Sequence, residues 1–336
     1  MNKKKWIVVA FALILLIASA FANKNKATME DFLNQKQSAQ LTGLLNNEPV
    51  YEEKVREEGS SDQRILVIPI EGAIGPTNAS YNHELILDTI EQIRTDETIK
   101  AVLLEIDSPG GAVYHTREAY DLFKEVLAEH DIPVYASMGS MAASGGYYYA
   151  MLADKVYASP ETITGSIGVI ASSMNVEELY KKIGVKPQVF KSGDLKDIGS
   201  GAREMTDEEK KVMQGYIDEA FNRFVQVVTE GREMSEERVR ELADGRIYTG
   251  TQAKENGLID DLAYYRDVVE IIREENNLAD AQVFEKIESY SNFNNLFPTG
   301  FMESETPDYA EQFDKILNRV EEETTPHLEY RWEGGL

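Results

Sequence analysis

Ile132-Pro133-Val134-Tyr135-Ala136-Ser137-Met138-Gly139-Ser140-Met141-Ala142-Ala143-Ser144-Gly145-Gly146-Tyr147 reads as a short strand over 133–138 that gives way to a helix over 144–152. The strand is β-branched and aromatic, and the helix opens on a glycine pair. Ser144 stands at the junction, after a run of small residues. A serine at a strand-to-helix turn is where a hydrolase holds its nucleophile. The sequence predicts an open hydroxyl there, with backbone N–H groups nearby to hold an oxyanion.

Working outward, strand-like and helix-like segments alternate. A buried strand runs over 64–70, a helix over 84–94, a strand over 101–106, a helix over 112–129 and a strand over 155–158. This alternation predicts an α/β domain with a largely parallel sheet and covering helices. A long amphipathic helix follows over 207–230, with Thr206 or Asp207 as N-cap. Shorter helices are expected over 235–243, 249–256 and 262–276, and the core ends near 290.

A serine nucleophile needs a base. The chain has four histidines, His83, His115, His130 and His327, and none lies in a triad motif. Lys191-Ser192-Gly193-Asp194-Leu195-Lys196-Asp197 offers Lys196 instead, and serine with lysine is a known dyad chemistry. A free lysine, with a pKa of about 10.4, stays protonated at neutral pH. It acts as a base only where apolar surroundings disfavour the ammonium. Asp194 and Asp197 must therefore point away from it. Asp107-Ser108-Pro109-Gly110-Gly111 follows the strand over 101–106 and reads as a turn into the next helix. Unpaired N–H groups and the macrodipole at that helix start suit an oxyanion.

Several segments keep one order and spacing: Glu105 to Gly111, Ser144-Gly145-Gly146-Tyr147, Thr164-Gly165-Ser166-Ile167-Gly168-Val169, the Lys196 segment, and Gly245-Arg246-Ile247-Tyr248-Thr249-Gly250 with Ala253, Gly257, Leu258, Ile259 and Asp260. Over roughly 64–275 the chain resembles the signal peptide peptidase A family of membrane-anchored serine peptidases. The resemblance implies a crotonase-like or Clp-protease-like fold. It implies Ser144 as nucleophile, Lys196 as general base, and the N–H groups of Gly111 and Gly145 as oxyanion donors. Ser166 is the candidate that orients the lysine, with Thr164 as the alternative. Long members of this type carry two related domains, one supplying the lysine and the other the serine. This chain has one copy. The resemblance thus implies a homo-oligomer, a ring of about eight domains, with the dyad within or between subunits. The implied substrates are signal-peptide remnants and other unfolded, apolar peptides. An acyl-CoA hydratase or isomerase, and an inactive membrane scaffold, are the rival readings of the fold.

Composition narrows the classes further. Lys and Arg number 34 against 59 Asp and Glu, a formal charge of −25, which argues against nucleic acid as a partner. There is no cysteine, so a thiol nucleophile is excluded. No motif suggests a metal, and no cofactor is expected. Residues 6–22 form an apolar run after Lys3, Lys4 and Lys5, at the short end of a membrane-spanning length. Their charge pattern predicts an N-terminal stub in the cytoplasm and the peptidase domain outside. Ala18-Ser19-Ala20 and Ala20-Phe21-Ala22 also fit a signal-peptidase site, so cleavage is the alternative. The expected organisation is stub and anchor over 1–25, stalk over 26–63, peptidase domain over 64–292, and an acidic, mobile tail over 293–336 with a short helix near 309–322. That tail, tethered close to a peptide groove, is expected to bind it as an added strand or to be trimmed.

Overall fold

The computed structural model describes residues 50–78, 80–289 and 329–331. Residues 6–22, most of the stalk and the helix expected near 309–322 lie outside the described residues. Among the described residues no helix is long and apolar enough to cross a membrane.

The centre is a mixed α/β core with nine sheet strands among the described residues. β1 (Val50–Glu57), β2 (Ser60–Glu71), β3 (Ile99–Ser108), β5 (Val134–Ala143), β6 (Lys155–Ala158), β9 (Asp261–Leu262) and β10 (Ala281–Ser289) lie in the order β1-β10-β2-β3-β5-β6-β9. β7 (Ile163–Gly165) pairs with β5, and β8 (Ile247–Thr249) pairs with β7. The pairs β10–β2, β2–β3, β3–β5, β5–β6, β5–β7 and β6–β9 are parallel, and β7–β8 is antiparallel. The mostly parallel sheet fits a Clp-protease-like fold.

Ala101, Val102, Leu103 and Leu104 are all buried, as a central parallel strand covered on both faces requires. Alternate residues feed two cores. Leu66, Ile68, Val102 and Leu104 join one, and Ile65, Val67, Ala101 and Leu103 join the other. The first core packs against α1 (His83–Thr95), α2 (Val113–Glu129) and α3 (Gly145–Ala150). The second packs against α8 (Tyr265–Glu275). α4 (Glu177–Ile183), α5 (Asp207–Gly231), α6 (Glu236–Leu242) and α7 (Gly250–Glu255) complete the helices among the described residues.

The sequence-based element boundaries hold within a few residues for most helices. Four local features differ. Strands begin at Val50, inside the segment read as stalk; β1 and the start of β2 are polar and half-exposed, so their pattern carried no core signal. β5 runs on through Gly139-Ser140 to Ala143. The Asp107 carboxylate makes that possible by accepting hydrogen bonds from the Ser140 hydroxyl (2.7 Å) and the Met141 N–H (3.0 Å), where the β3–β5 register shifts. Gly110-Gly111-Ala112 is a short strand, β4 (Gly110–Ala112), rather than a turn, and α2 starts after it. Ser144 is 1% exposed, not open, because β7 and the start of α3 close over it.

Candidate active site

Ser144 is placed by the collision of a strand with a helix. β5 ends at Ala143, paired with Gly165 of β7, and α3 begins at Gly145. The residue between them adopts φ 53° and ψ −114°, a left-handed conformation uncommon outside glycine. Its N–H donates to Gly165 O (2.8 Å) and its carbonyl accepts from the Tyr148 N–H (2.9 Å), so both backbone groups fix the bend. Small neighbours are obligatory. A Cβ on Gly146 would lie 2.8 Å from Ser108 O, and one on Gly145 would lie 3.0 Å from Thr116 Oγ1. The tyrosines after the bend anchor the helix in the core: Tyr147 donates to Leu258 O (2.7 Å), and the Tyr149 hydroxyl meets that of Tyr81 (3.0 Å).

The Ser144 hydroxyl is buried and has no hydrogen-bond partner among the described residues. An orphaned buried hydroxyl costs about 1–3 kcal/mol, the kind of strain tolerated where chemistry needs a free group.

β4 supplies the neighbouring N–H. The Ser108 hydroxyl donates to Gly72 O (2.6 Å) and accepts from the Gly110 N–H (3.1 Å), locking the start of this short strand. On one side β4 bonds to Ile74: the Ile74 N–H donates to Gly110 O and the Ala112 N–H donates to Ile74 O, both at 2.9 Å. Backbone groups of successive strand residues face opposite sides. Gly110 and Ala112 are thus spent on Ile74, and the Gly111 N–H and C=O face the other edge. That edge carries β11 (Glu329–Arg331), antiparallel to β4, with Tyr330 opposite Gly111. Gly145 abuts this strand, since its added Cβ would sit 3.2 Å from Gly110 Cα. As the first residue of α3 it has an N–H the helix ladder does not use. Gly110 of β4 therefore lies against Gly145, the residue that follows Ser144.

Ser166 follows Gly165 on β7 and is also left-handed (φ 47°) and buried. Its N–H donates to Arg246 O (2.8 Å), while its hydroxyl makes no hydrogen bond among the described residues. It lines a cavity of about 460 Å³ with Val169, Ile170, Phe221 and Asp244 among the walls. Thr164 is committed elsewhere, its hydroxyl donating to Ala142 O (2.7 Å).

Among the described residues Lys196 makes no hydrogen bond to Ser144. It is exposed, in an arm over 171–205 between β7 and α5, and its ammonium has no hydrogen bond or ion pair among the described residues. The same arm leaves Met174, Leu179, Ile183, Val189 and Phe190 exposed, Phe190 at 95%. Asp197, the acidic neighbour of concern, is already taken. Its carboxylate accepts from Arg203 Nε (3.0 Å), Arg203 Nη2 (2.7 Å) and Lys191 Nζ (2.8 Å). The hydrogen bonds from Arg203 and then Lys191 hold it well below the usual carboxylate range.

A second polar cluster lay outside any motif. His83 Nε2 meets Glu118 (2.8 Å), its Nδ1 meets the Tyr81 hydroxyl (3.1 Å), and the His115 ring stands edge-on to His83 at 4.8 Å. Burial pushes the Tyr81 hydroxyl up to about 12 and that of Tyr149 well above its ordinary value. Burial and then the His83 charge push His115 down. The cluster ties α1 and α2 to α3 behind Ser144; its members come from three distant segments, and only folding joins them.

Comparison with known proteins follows the same lines. Residues 127–279 match the model of peptidase family S49. A protein of Enterococcus faecium described as a signal peptide peptidase SppA is 36% identical over the full length of both chains. Protease 4 of Salmonella typhi is 33% identical over 65% of this chain and 36% of its own length. The chloroplastic serine protease SPPA of Arabidopsis thaliana is 31% identical over 62% of this chain and 31% of its own.

Proposed function

This chain belongs to the signal peptide peptidase A family, within peptidase family S49, and is a serine-type peptidase; from that premise we propose that Ser144 and Lys196 form its catalytic dyad, with each lysine delivered to the serine of a neighbouring copy. Ser144 Oγ attacks the scissile carbonyl carbon, and neutral Lys196 takes its proton. The N–H groups of Gly111 and Gly145 hold the tetrahedral oxyanion. Lys196 then protonates the leaving amine. Water, deprotonated by the same amine, releases the acyl group and regenerates Ser144. Ser166 accepts a hydrogen bond from the lysine amine and aims its lone pair.

The observation that carries this reading is the orphaned Ser144 hydroxyl, buried beside two candidate oxyanion donors, while Lys196 stands exposed on an apolar-studded arm. An arm with Phe190 almost fully bare gains by burying that surface on a second copy. The cavity lined by Ser166 offers room for an incoming amine beside that residue. Substrates are extended apolar peptides, the remnants of signal peptides among them. They add to β4 as a strand, and the strand at 329–331 supports this by lying on the same edge. The C-terminal tail competes with substrate for that edge. Residues 6–22 tether the enzyme to the membrane, with the peptidase domain on the outer face.

The test mixes two dead variants. Ser144→Ala and Lys196→Ala are each inactive alone. Unfolded and refolded together, they regain about one quarter of parental activity if the dyad is shared between copies, since half the serines meet half the lysines. No recovery places the dyad within one chain. Lys196→Arg stays inactive because arginine does not lose its proton; an active arginine variant removes lysine from the mechanism.

A further inference from the structure

We infer that Arg203 is a positioning residue for Lys196, fastening the lysine arm to the start of α5 and removing the Asp197 carboxylate from the amine beside it. This inference rests on Lys196 as the base.

A guanidinium on the arm bonds to the start of α5. Arg203 Nη1 and Nη2 donate to the two carboxylate oxygens of Glu209 at 2.8 and 2.5 Å. Glu209 is 1% exposed, a buried charge that requires a partner. Its carboxylate also accepts from the Thr206 N–H (2.8 Å), and Thr206 Oγ1 accepts from the Glu209 N–H (3.2 Å). This capping box makes Glu209 a fixed post at the N-terminus of α5. The other edge of the guanidinium takes both oxygens of Asp197, through Nε (3.0 Å) and Nη2 (2.7 Å). One planar, bidentate group thus links post to arm on both sides, a geometry lysine lacks.

The link ends one residue from Lys196. The arm there is wound in tight turns, with the Lys196 N–H on Gly193 O (3.1 Å), the Ile198 N–H on Leu195 O (3.2 Å) and the Ser200 N–H on Asp197 O (3.1 Å). Fixing Asp197 fixes the turn that carries the amine. The charged groups around it are Lys191, Asp194, Asp197 and Arg203 on the arm and Glu209 on α5. Lys191 Nζ bonds to Asp197 Oδ1 (2.8 Å) and Asp194 O (2.7 Å), so it backs up the neutralisation. Glu209 is answered by Arg203. With the Asp197 and Glu209 carboxylates paired to cations, neither is free to favour the ammonium form of Lys196; Asp194, whose carboxylate has no ion pair among the described residues, is the anion left at the turn. The bonds from Arg203 hold the Glu209 carboxyl down to about 2, in keeping with a permanently ionised post.

The experiment is the pH profile of kcat/KM for the full-length enzyme and four variants: Lys196→Ala, Arg203→Ala, Lys191→Gln with Arg203→Ala, and Arg203→Ala with Asp197→Asn. Arg203→Ala is expected to move the rising limb about one unit to higher pH, a loss of about tenfold below the midpoint. Adding Lys191→Gln moves it further, and adding Asp197→Asn returns the midpoint to the parental value. The plateau at high pH stays below parent in every Arg203 variant, because the link to Glu209 is gone. A residue that merely stabilises the fold lowers the plateau without moving the midpoint, and that result overturns the inference. So does a shift that Asp197→Asn fails to reverse. An active Lys196→Ala overturns the dyad itself. An inactive Lys196→Ala with an unmoved Arg203→Ala profile overturns only the role of Arg203.

Discussion

Gly111→Ala tests the oxyanion assignment through a clash whose size is fixed by the fold. An added Cβ would lie 2.0 Å from Ile74 O, 2.6 Å from Ile74 N and 2.8 Å from Ile74 C. Carbon and carbonyl oxygen approach no closer than about 3.3 Å without strain, so β4 and the Ile74 segment must part by more than about 1 Å. All three contacts are backbone, so no side-chain rotation relieves them. The displaced strand carries the Gly111 N–H away from the point where the oxyanion forms. A donor moved by that much no longer makes a hydrogen bond. Loss of one such donor lowers kcat by about 10²–10³, or about 2.7–4 kcal/mol of transition-state stabilisation. The overpacking itself costs about 1–3 kcal/mol of stability. Cleavage of an internally quenched peptide gives kcat and KM, and thermal unfolding gives stability on the same sample. Two controls separate chemistry from folding. Gly75→Ala, next to Ile74, meets nothing within 4 Å and is expected to match the parent in both measurements. Gly59→Ala meets the backbone at Ala281 and Asp280 at 2.6 Å, at the far side of the sheet. It is expected to lose stability and keep its kcat. A folded Gly111→Ala with kcat within about threefold of the parent refutes the assignment.

Three further outcomes follow from the same geometry. Deleting residues 300–336 frees the β4 edge opposite Gly111 and raises kcat/KM for short peptides; unchanged kinetics removes the tail from the groove. Glu209 has a folded value lowered to about 2 by Arg203, against an ordinary carboxyl near 4.5, so the stability it contributes is present above about pH 4.5 and lost as pH falls toward about 2. Glu209→Gln flattens that part of the acid-unfolding curve, and a variant curve parallel to the parent's contradicts the pairing. Tyr149→Phe removes one buried hydroxyl bond while Tyr81 keeps His83, so it costs about 0.5–1.5 kcal/mol in chemical denaturation and leaves kcat near parental; a collapse of kcat gives the tyrosine cluster a part in the reaction.

What could be read from the chain divides along the range of the interactions. The Ser144 bend was legible because local chemistry writes it: small residues, then two glycines, between a β-branched strand and an aromatic helix. The long helix over Asp207–Gly231 was legible for the same reason, its capping box lying in four consecutive residues. Burial of Ser144 was not, because β7, which pairs with the end of β5 beside it, comes from a later segment. The Gly110–Gly111 segment reads as a turn in sequence because its strand partners, Ile74 and β11, lie far along the chain. Asp197 posed a problem that sequence alone left open: a carboxylate beside a lysine proposed as general base ought to favour its ammonium form. The fold answers through Arg203 and Glu209, six and twelve residues on, within a segment whose composition looks like any charged loop. Among the described residues neither local pattern nor packing supplies a partner for the Ser144 hydroxyl. A buried hydroxyl without a partner costs about 1–3 kcal/mol, whereas the exposed Lys196 ammonium is met by water.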